Sequence, residues 1–124
     1  MIKFTIKGSL IGLNEYIAAS RSNRYLSAKI KKEQQKLITI YIRKAKLEKI
    51  NYPVKIKTYW IEKDNRRDID NITFAQKFIN DALVENGILK DDSRRYVKAI
   101  NHRVSTDKEN PRIEIEIYKE NENE

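Results

Sequence analysis

Residues 66–92 read RRDIDNITFAQKFINDALVENGILKDD, one predicted helix with a carboxylate pair at each end. Asp68 and Asp70 are two apart, so on an extended segment their side chains point to one side, a spacing that suits metal ligation. Asn86 and Gly87 tolerate the left-handed conformation that closes a helix, and Asp91 and Asp92 follow at once. The helical spacing of Ile72, Ala75, Ile79, Ala82 and Leu83 defines the buried side, widened by Phe74 and Phe78. Asp70 or Asn71 is the expected N-cap. If both helix ends meet one neighbouring strand, Asp70 comes beside Asp91 or Asp92; spacing alone does not force this. Asp70, Lys77 and Asp81 follow at intervals of seven and four, which puts the lysine between two carboxylates on one side of a continuous helix.

Upstream, Pro53 introduces a strand in which Val54, Ile56, Thr58 and Trp60 share one face and Lys55, Lys57, Tyr59 and Ile61 the other. Residues 63–67 form the turn between this strand and the helix. Ile2, Phe4 and Ile6 alternate with Lys3, Thr5 and Lys7, the pattern of a half-buried first strand. Residues 8–26 hold two of the three glycines together with Asn14, Ser20, Ser22 and Asn23, and read as an irregular segment packed inward by Leu10, Leu13 and Ile17. A long amphipathic helix follows from an N-cap at Ser27 to about Glu48, on Ile30, Leu37, Ile38, Tyr41, Ile42 and Ala45. Residues 96–104 and the alternation of Ile113, Ile115 and Ile117 after Pro111 give the last two strands, joined by a hairpin-like connection at 106–110.

The order strand-helix-strand-helix-strand-strand predicts an α+β fold, a mixed four-stranded sheet with two helices packed on one face. A length of 124 residues fits one domain, residues 1–119, with an acidic tail at 120–124 expected to be disordered. No apolar run approaches a membrane span and the charged N-terminus lacks a signal-peptide core, so a soluble, intracellular protein is expected.

The absence of cysteine excludes a disulfide framework and a thiolate zinc site. The formal net charge is +8; without residues 114–124, which carry five Glu and one Lys, 25 basic face 13 acidic residues, a surplus of +12 that attracts polyanions. Residues 21–49 alone carry ten basic and two acidic residues. Lys29, Lys32, Lys36 and Lys44 fall away from the apolar stripe of their helix, and Arg21 and Arg24, beside Tyr25, suit phosphate contact next to a base or sugar. A solvated charged face is the plainer reading of the same residues.

Clustered aspartates raise one another's pKa unless a cation joins them, and a hard ion such as Mg2+ takes oxygen ligands of this kind. A basic protein with such a cluster is a candidate for two-metal phosphodiester cleavage. The competing reading is a nucleic-acid binding module without catalysis, in which Asp70 caps a helix and the other aspartates sit in solvated turns. A calcium-sensing loop counted from Asp64 fails, because its sixth position is Ile69 and its twelfth Ala75. His102, the single histidine, and Trp60 read as structural.

Arg67-Asp68-Ile69-Asp70-Asn71, the helix with Lys77 and Asp81-Ala82-Leu83, and Gly87-Ile88-Leu89-Lys90-Asp91-Asp92 together resemble the RusA family of Holliday junction resolvases. Leu13-Asn14-Glu15-Tyr16-Ile17 is similar to the family's early loop, so the resemblance covers nearly the whole chain. It implies a small basic homodimeric endodeoxyribonuclease, often phage- or prophage-encoded and cytoplasmic, that nicks four-way junction DNA symmetrically with Mg2+ or Mn2+. It also implies Asp68, Asp70 and Asp92 as metal ligands, Asp91 as a further candidate, and Lys77 as the catalytic lysine. The departure is the lysine's position: seven residues after Asp70, where the best-known branch has four, and Phe74 stands at the four position. For DNA contact the candidates are Arg21, Arg24, Lys29, Lys32, Lys36, Arg66 and Arg67.

Overall fold

A computed structural model describes residues 1–122. The alternating apolar residues at each end of the chain pair with one another: β1 (Ile2–Lys7) runs antiparallel to β4 (Arg112–Lys119), with Phe4 opposite Ile115. β2 (Val54–Glu62) lies on the other side of β4, antiparallel to it and parallel to β3 (Val97–Thr106). The mixed four-stranded sheet therefore has the order β1-β4-β2-β3. The α+β class stands.

One sheet face is apolar because the period of two repeats in register. Phe4, Ile6, Val54, Ile56, Trp60, Ile113, Ile115 and Ile117 are all buried on it. The other face is charged, and its rows alternate in sign across strands: Glu116 of β4 stands opposite both Lys3 of β1 and Lys57 of β2. Lys3 Nζ also lies 3.6 Å from Glu114. An acidic strand thus sits between two basic ones, and cross-strand pairs of this kind contribute about 0.2–1 kcal/mol each.

The helices cover the apolar face, and here several expectations change. The glycine- and serine-containing segment is not irregular: α1 (Leu13–Ser22) forms there and α2 (Arg24–Ala45) follows after a single residue. Leu10 is buried as expected, but Ile17 is 36% exposed and α1 contributes no fully buried residue, which is why no apolar stripe announced it. Asn23, not Ser27, caps α2, its Oδ1 accepting from Tyr25 N–H at 2.9 Å. The helix stops at Ala45, three residues before the expected end, because Lys46 adopts the left-handed conformation (φ 50°).

The predicted helix over residues 70–86 is two. A short α3 (Ile69–Thr73) precedes α4 (Gln76–Glu85), with Asp68 at the N-cap position of α3. The break falls where Phe74 packs against Tyr16 and Phe78, with ring centroids 5.1 and 5.4 Å away. At the break the partly buried Phe74 ring packs under α1. Gly87 (φ 74°) ends the layer as its sequence suggests. The full order is strand, helix, helix, strand, helix, helix, strand, strand.

The connection at 107–111 is not a hairpin, since β2 lies between β3 and β4. It crosses the end of β2, where Asp107 N–H donates to the Glu62 carbonyl at 2.8 Å. The expected tail is turned back as far as Glu122, whose carboxylate is 3.0 Å from the N-terminal ammonium. Residues 123 and 124 lie outside the described residues.

A polar ladder that the apolar pattern conceals runs through the core. Buried Thr58 donates to Gln76 Oε1 at 2.7 Å, and Gln76 Nε2 donates to Asn80 Oδ1 at 2.8 Å. Satisfied in this way, the three groups tie β2 to α4 without the desolvation cost of an orphaned polar atom.

Candidate active site

β2 delivers the chain to the carboxylate segment, and three contacts fix that segment before it reaches Asp68. Glu62, the last residue of β2, is buried, and Arg67 grips its Oε1 through Nε at 2.8 Å and Nη2 at 2.7 Å. Arg67 Nη1 donates to the Leu10 carbonyl at 3.1 Å. Asn71 Oδ1 accepts from Asn14 N–H at 3.0 Å. Gly12 fills the space between: a Cβ there would stand 2.8 Å from Asn71 Oδ1 and 2.9 Å from Arg67 Nη1. Its φ of −84° is open to any residue, so glycine is needed here for close approach and not for backbone freedom.

On this latched segment Asp68 and Asp70 both face solvent. Asp68 makes no side-chain capping bond, and Asp70 Oδ1 accepts only the neighbouring Asn71 N–H, at 3.0 Å. Neither carboxylate enters an ion pair among the described residues. Lys77 is exposed in the first turn of α4 and is likewise unpaired. The break between α3 and α4 removes the single helix face expected for Asp70, Lys77 and Asp81. Asp81 instead meets Lys31 at 3.6 Å.

The two acidic residues after Gly87 differ from each other. Asp91 closes a small turn, its Oδ1 accepting Ser93 N–H at 2.6 Å, and the Ser93 side chain and backbone hold its pKa below the usual carboxylate value. Asp92 has no such partner and lines a shallow cleft with Lys31, Gln35, Asp81, Val84 and Glu85. Asp92 keeps both carboxylate oxygens for a ligand, and Asp91 keeps one.

Asp68 and Asp70 are not brought to Asp92 within this chain. The first two follow the C-terminal end of β2 and the last precedes the N-terminal end of β3, and the two strands are parallel, so these ends are opposite. α4 separates them, a ten-residue helix about 15 Å long. Among the described residues no three of His, Asp and Glu are grouped so as to hold a metal ion. The pair at 68 and 70 nonetheless suits magnesium, which is usually held by one or two carboxylates with waters and substrate phosphate making up the rest.

The basic candidates fall into three groups. Arg21, Arg24, Lys29, Lys32 and Lys36 are exposed around the α1–α2 joint and on the outer side of α2, free of ion pairs. Arg66 is exposed and loosely paired with Asp64 at 3.7 Å. Arg67, whose Nε, Nη1 and Nη2 are all engaged, serves as the latch of the loop. Gly12, Asn14 and Glu62 were not foreseen as supports of the site. Only the scarcity of glycine in the chain, three in all, marked position 12.

Over residues 12–118 the sequence matches the family described as endodeoxyribonuclease RusA. The chain belongs to the RusA family. The match takes in both aspartate pairs, Lys77 and the latching loop from Gly12 onward, and it makes the chain a member of a family of Holliday junction resolving endonucleases. A search of the curated proteins finds no match. In this RusA-family chain the Leu10 carbonyl and the Asn14 N–H, just before and within the start of α1, clamp the segment carrying Asp68 and Asp70. No helix among the described residues is long and apolar enough to cross a membrane.

Proposed function

We propose that this chain resolves four-way DNA junctions in the cytoplasm as a homodimer, nicking two opposed strands with Mg2+ or Mn2+. Asp68 and Asp70 would hold the ion, joined by Asp92 from a second copy. The observation that carries this reading is the pairing of two exposed, unpaired carboxylates on a rigid latch with a third at the opposite end of α4. A two-fold axis that sets one end of a protomer against the other end of its partner completes two equivalent sites at once, matching a junction with two equivalent strands.

The bound ion supplies Lewis acidity to phosphodiester hydrolysis. The protein's own contribution is positional and electrostatic. The Glu62–Arg67 and Asn14–Asn71 contacts hold the carboxylates against thermal drift, which matters because rate depends steeply on placement. Lys77 offers an unneutralised ammonium to the charge that builds on the phosphate in the transition state. Lys29, Lys32 and Lys36 attract the phosphates of a duplex arm.

The test is incubation with an end-labelled immobile four-way junction and a matched duplex, with and without magnesium. Paired, metal-dependent nicks in the junction alone are expected. Tight binding without nicks under any divalent ion would instead make the chain a binding module.

A further inference from the structure

The surface at the joint of α1 and α2 takes no part in the chemistry above, yet it is unusual for a charged protein. Tyr25 is 67% exposed, and Ile17 and Leu26 are each 36% exposed. The Tyr25 ring is held in place: the Arg24 guanidinium carbon lies 4.9 Å from its centroid, and Arg24 Nη2 donates to the phenol oxygen at 2.8 Å. Asn23 anchors the backbone beneath it by accepting Tyr25 N–H. An aromatic ring is thus presented to solvent at the tip of a two-helix corner, with a guanidinium against it.

The charge around it selects the partner. Residues 21–32 carry five basic residues, Arg21, Arg24, Lys29, Lys31 and Lys32, and no acidic one. Two copies meeting at this tip across a two-fold axis would oppose like charges, whereas a polyanion is attracted. Among the parts of a nucleic acid, a presented aromatic ring matches the π-face of a base, which every base has. A continuous duplex keeps those faces stacked; a branch point interrupts the stack.

We propose that Tyr25, flanked by Leu26, stacks on an unstacked base at the branch point of a DNA junction while Arg21 and Arg24 hold the adjoining phosphates. This makes the α1–α2 corner a reader of branch structure, separate from the aspartates that act on the phosphodiester. The proposal rests on the reading of the chain as a junction resolvase.

The test measures binding without divalent metal, so that no strand is cut, to junctions carrying 2-aminopurine either at the branch point or in mid-arm. The parental protein should change the fluorescence of the branch-point probe and leave the mid-arm probe alone. Tyr25→Ala should abolish that change and weaken junction binding about tenfold, within the range for loss of one base–aromatic stack, with duplex binding unchanged. Tyr25→Phe should keep most of the probe signal and of the affinity, because the ring does the stacking and only the Arg24 hydrogen bond to the phenol oxygen is lost. Since Tyr25 is exposed, melting temperature checks that neither variant has lost its fold.

A parental signal that survives Tyr25→Ala overturns the proposal, as does an equal loss of junction and duplex binding. A drop to a smaller species in sedimentation for Tyr25→Ala also overturns it, by showing that a second copy covers the tip. If the parental protein does not prefer the junction to the duplex, the resolvase reading fails as well; if it does and Tyr25→Ala matches it, only this inference falls.

Discussion

Arg67 and Glu62 form a forked ion pair, Nε and Nη2 both within 2.8 Å of one carboxylate oxygen that belongs to the last residue of a central strand. Glu62 is buried, and Arg67 is the cation that meets it there. Arg67→Ala is expected to destabilise the fold by about 3 kcal/mol, because it strands a desolvated carboxylate. Urea unfolding measures it. Replacing both partners by apolar residues of similar size should recover much of the loss while still impairing cleavage, since the latch before Asp68 is gone.

Asp70→Asn should abolish nicking and leave junction binding intact or tighter, as one negative charge near phosphates is removed. The loss should exceed the roughly 10–100-fold typical of changing a group that only supports a ligand. Gel shift and nicking on one preparation separate the two effects. Asp92→Asn should behave alike, and mixing the two variant chains should restore activity. About half of the resulting dimers are mixed and each has one intact site, so roughly a quarter of the sites recover. Manganese binding by calorimetry should recover in the same mixture. If the mixture stays inactive and binds no metal, each site is built within one chain.

Gly12→Ala places a methyl group against two hydrogen-bonded side-chain ends, Asn71 Oδ1 and Arg67 Nη1. The backbone tolerates alanine there, so the cost is one or two displaced hydrogen bonds, about 1–3 kcal/mol. Nicking should fall further than that stability loss accounts for, because the displaced groups are those that hold Asp68 and Asp70. Cleavage rates compared well below the melting temperature of each protein decide it; an unchanged rate would detach the latch from function.

His102 Nδ1 accepts the Trp60 indole N–H at 3.0 Å, so the neutral ring carries its proton on Nε2. Partial desolvation of the ring, which lies against Trp60, lowers the His102 pKa below the usual value near 6.5. Below about pH 6.5 the unfolded chain takes up a proton that the folded one resists, so stability declines as pH falls from there toward the folded pKa and is complete above it. His102→Asn keeps an acceptor for Trp60 and removes the titration. Melting temperatures between pH 5 and 8 should fall less steeply on the acid side for this variant than for the parent.

Lys29, Lys32 and Lys36 stand clear of buried Ile38 and Ile42, so replacing them by alanine should leave stability nearly unchanged. Each lysine that meets a phosphate contributes about −0.9 to the slope of log affinity against log salt. The triple variant should therefore flatten that slope by up to about three and weaken junction binding most at low salt. A slope equal to the parent's would move the DNA path to Arg21 and Arg24 or to Arg94 and Arg95, all exposed.

The sequence by itself determined the strands, the long basic helix, the stop at Gly87 and the identity of the acidic pairs. Those features are local: period-two and helical spacing, turn chemistry and charge are carried by neighbouring residues and survive without knowledge of the fold. Only the tertiary structure decided that Phe74 interrupts the helix after Asp70, because the aromatic partners that stabilise the break, Tyr16 in particular, come from a distant segment. It also decided that β2 separates the last two strands, which gives the acidic β4 a basic neighbour on each side. The distance between the two acidic ends belongs to the same level. Spacing fixes how far apart they are along the chain, but the parallel pairing of β2 with β3 sets those ends on opposite sides of the helix layer, and backbone pairing between remote strands leaves no mark in either one alone.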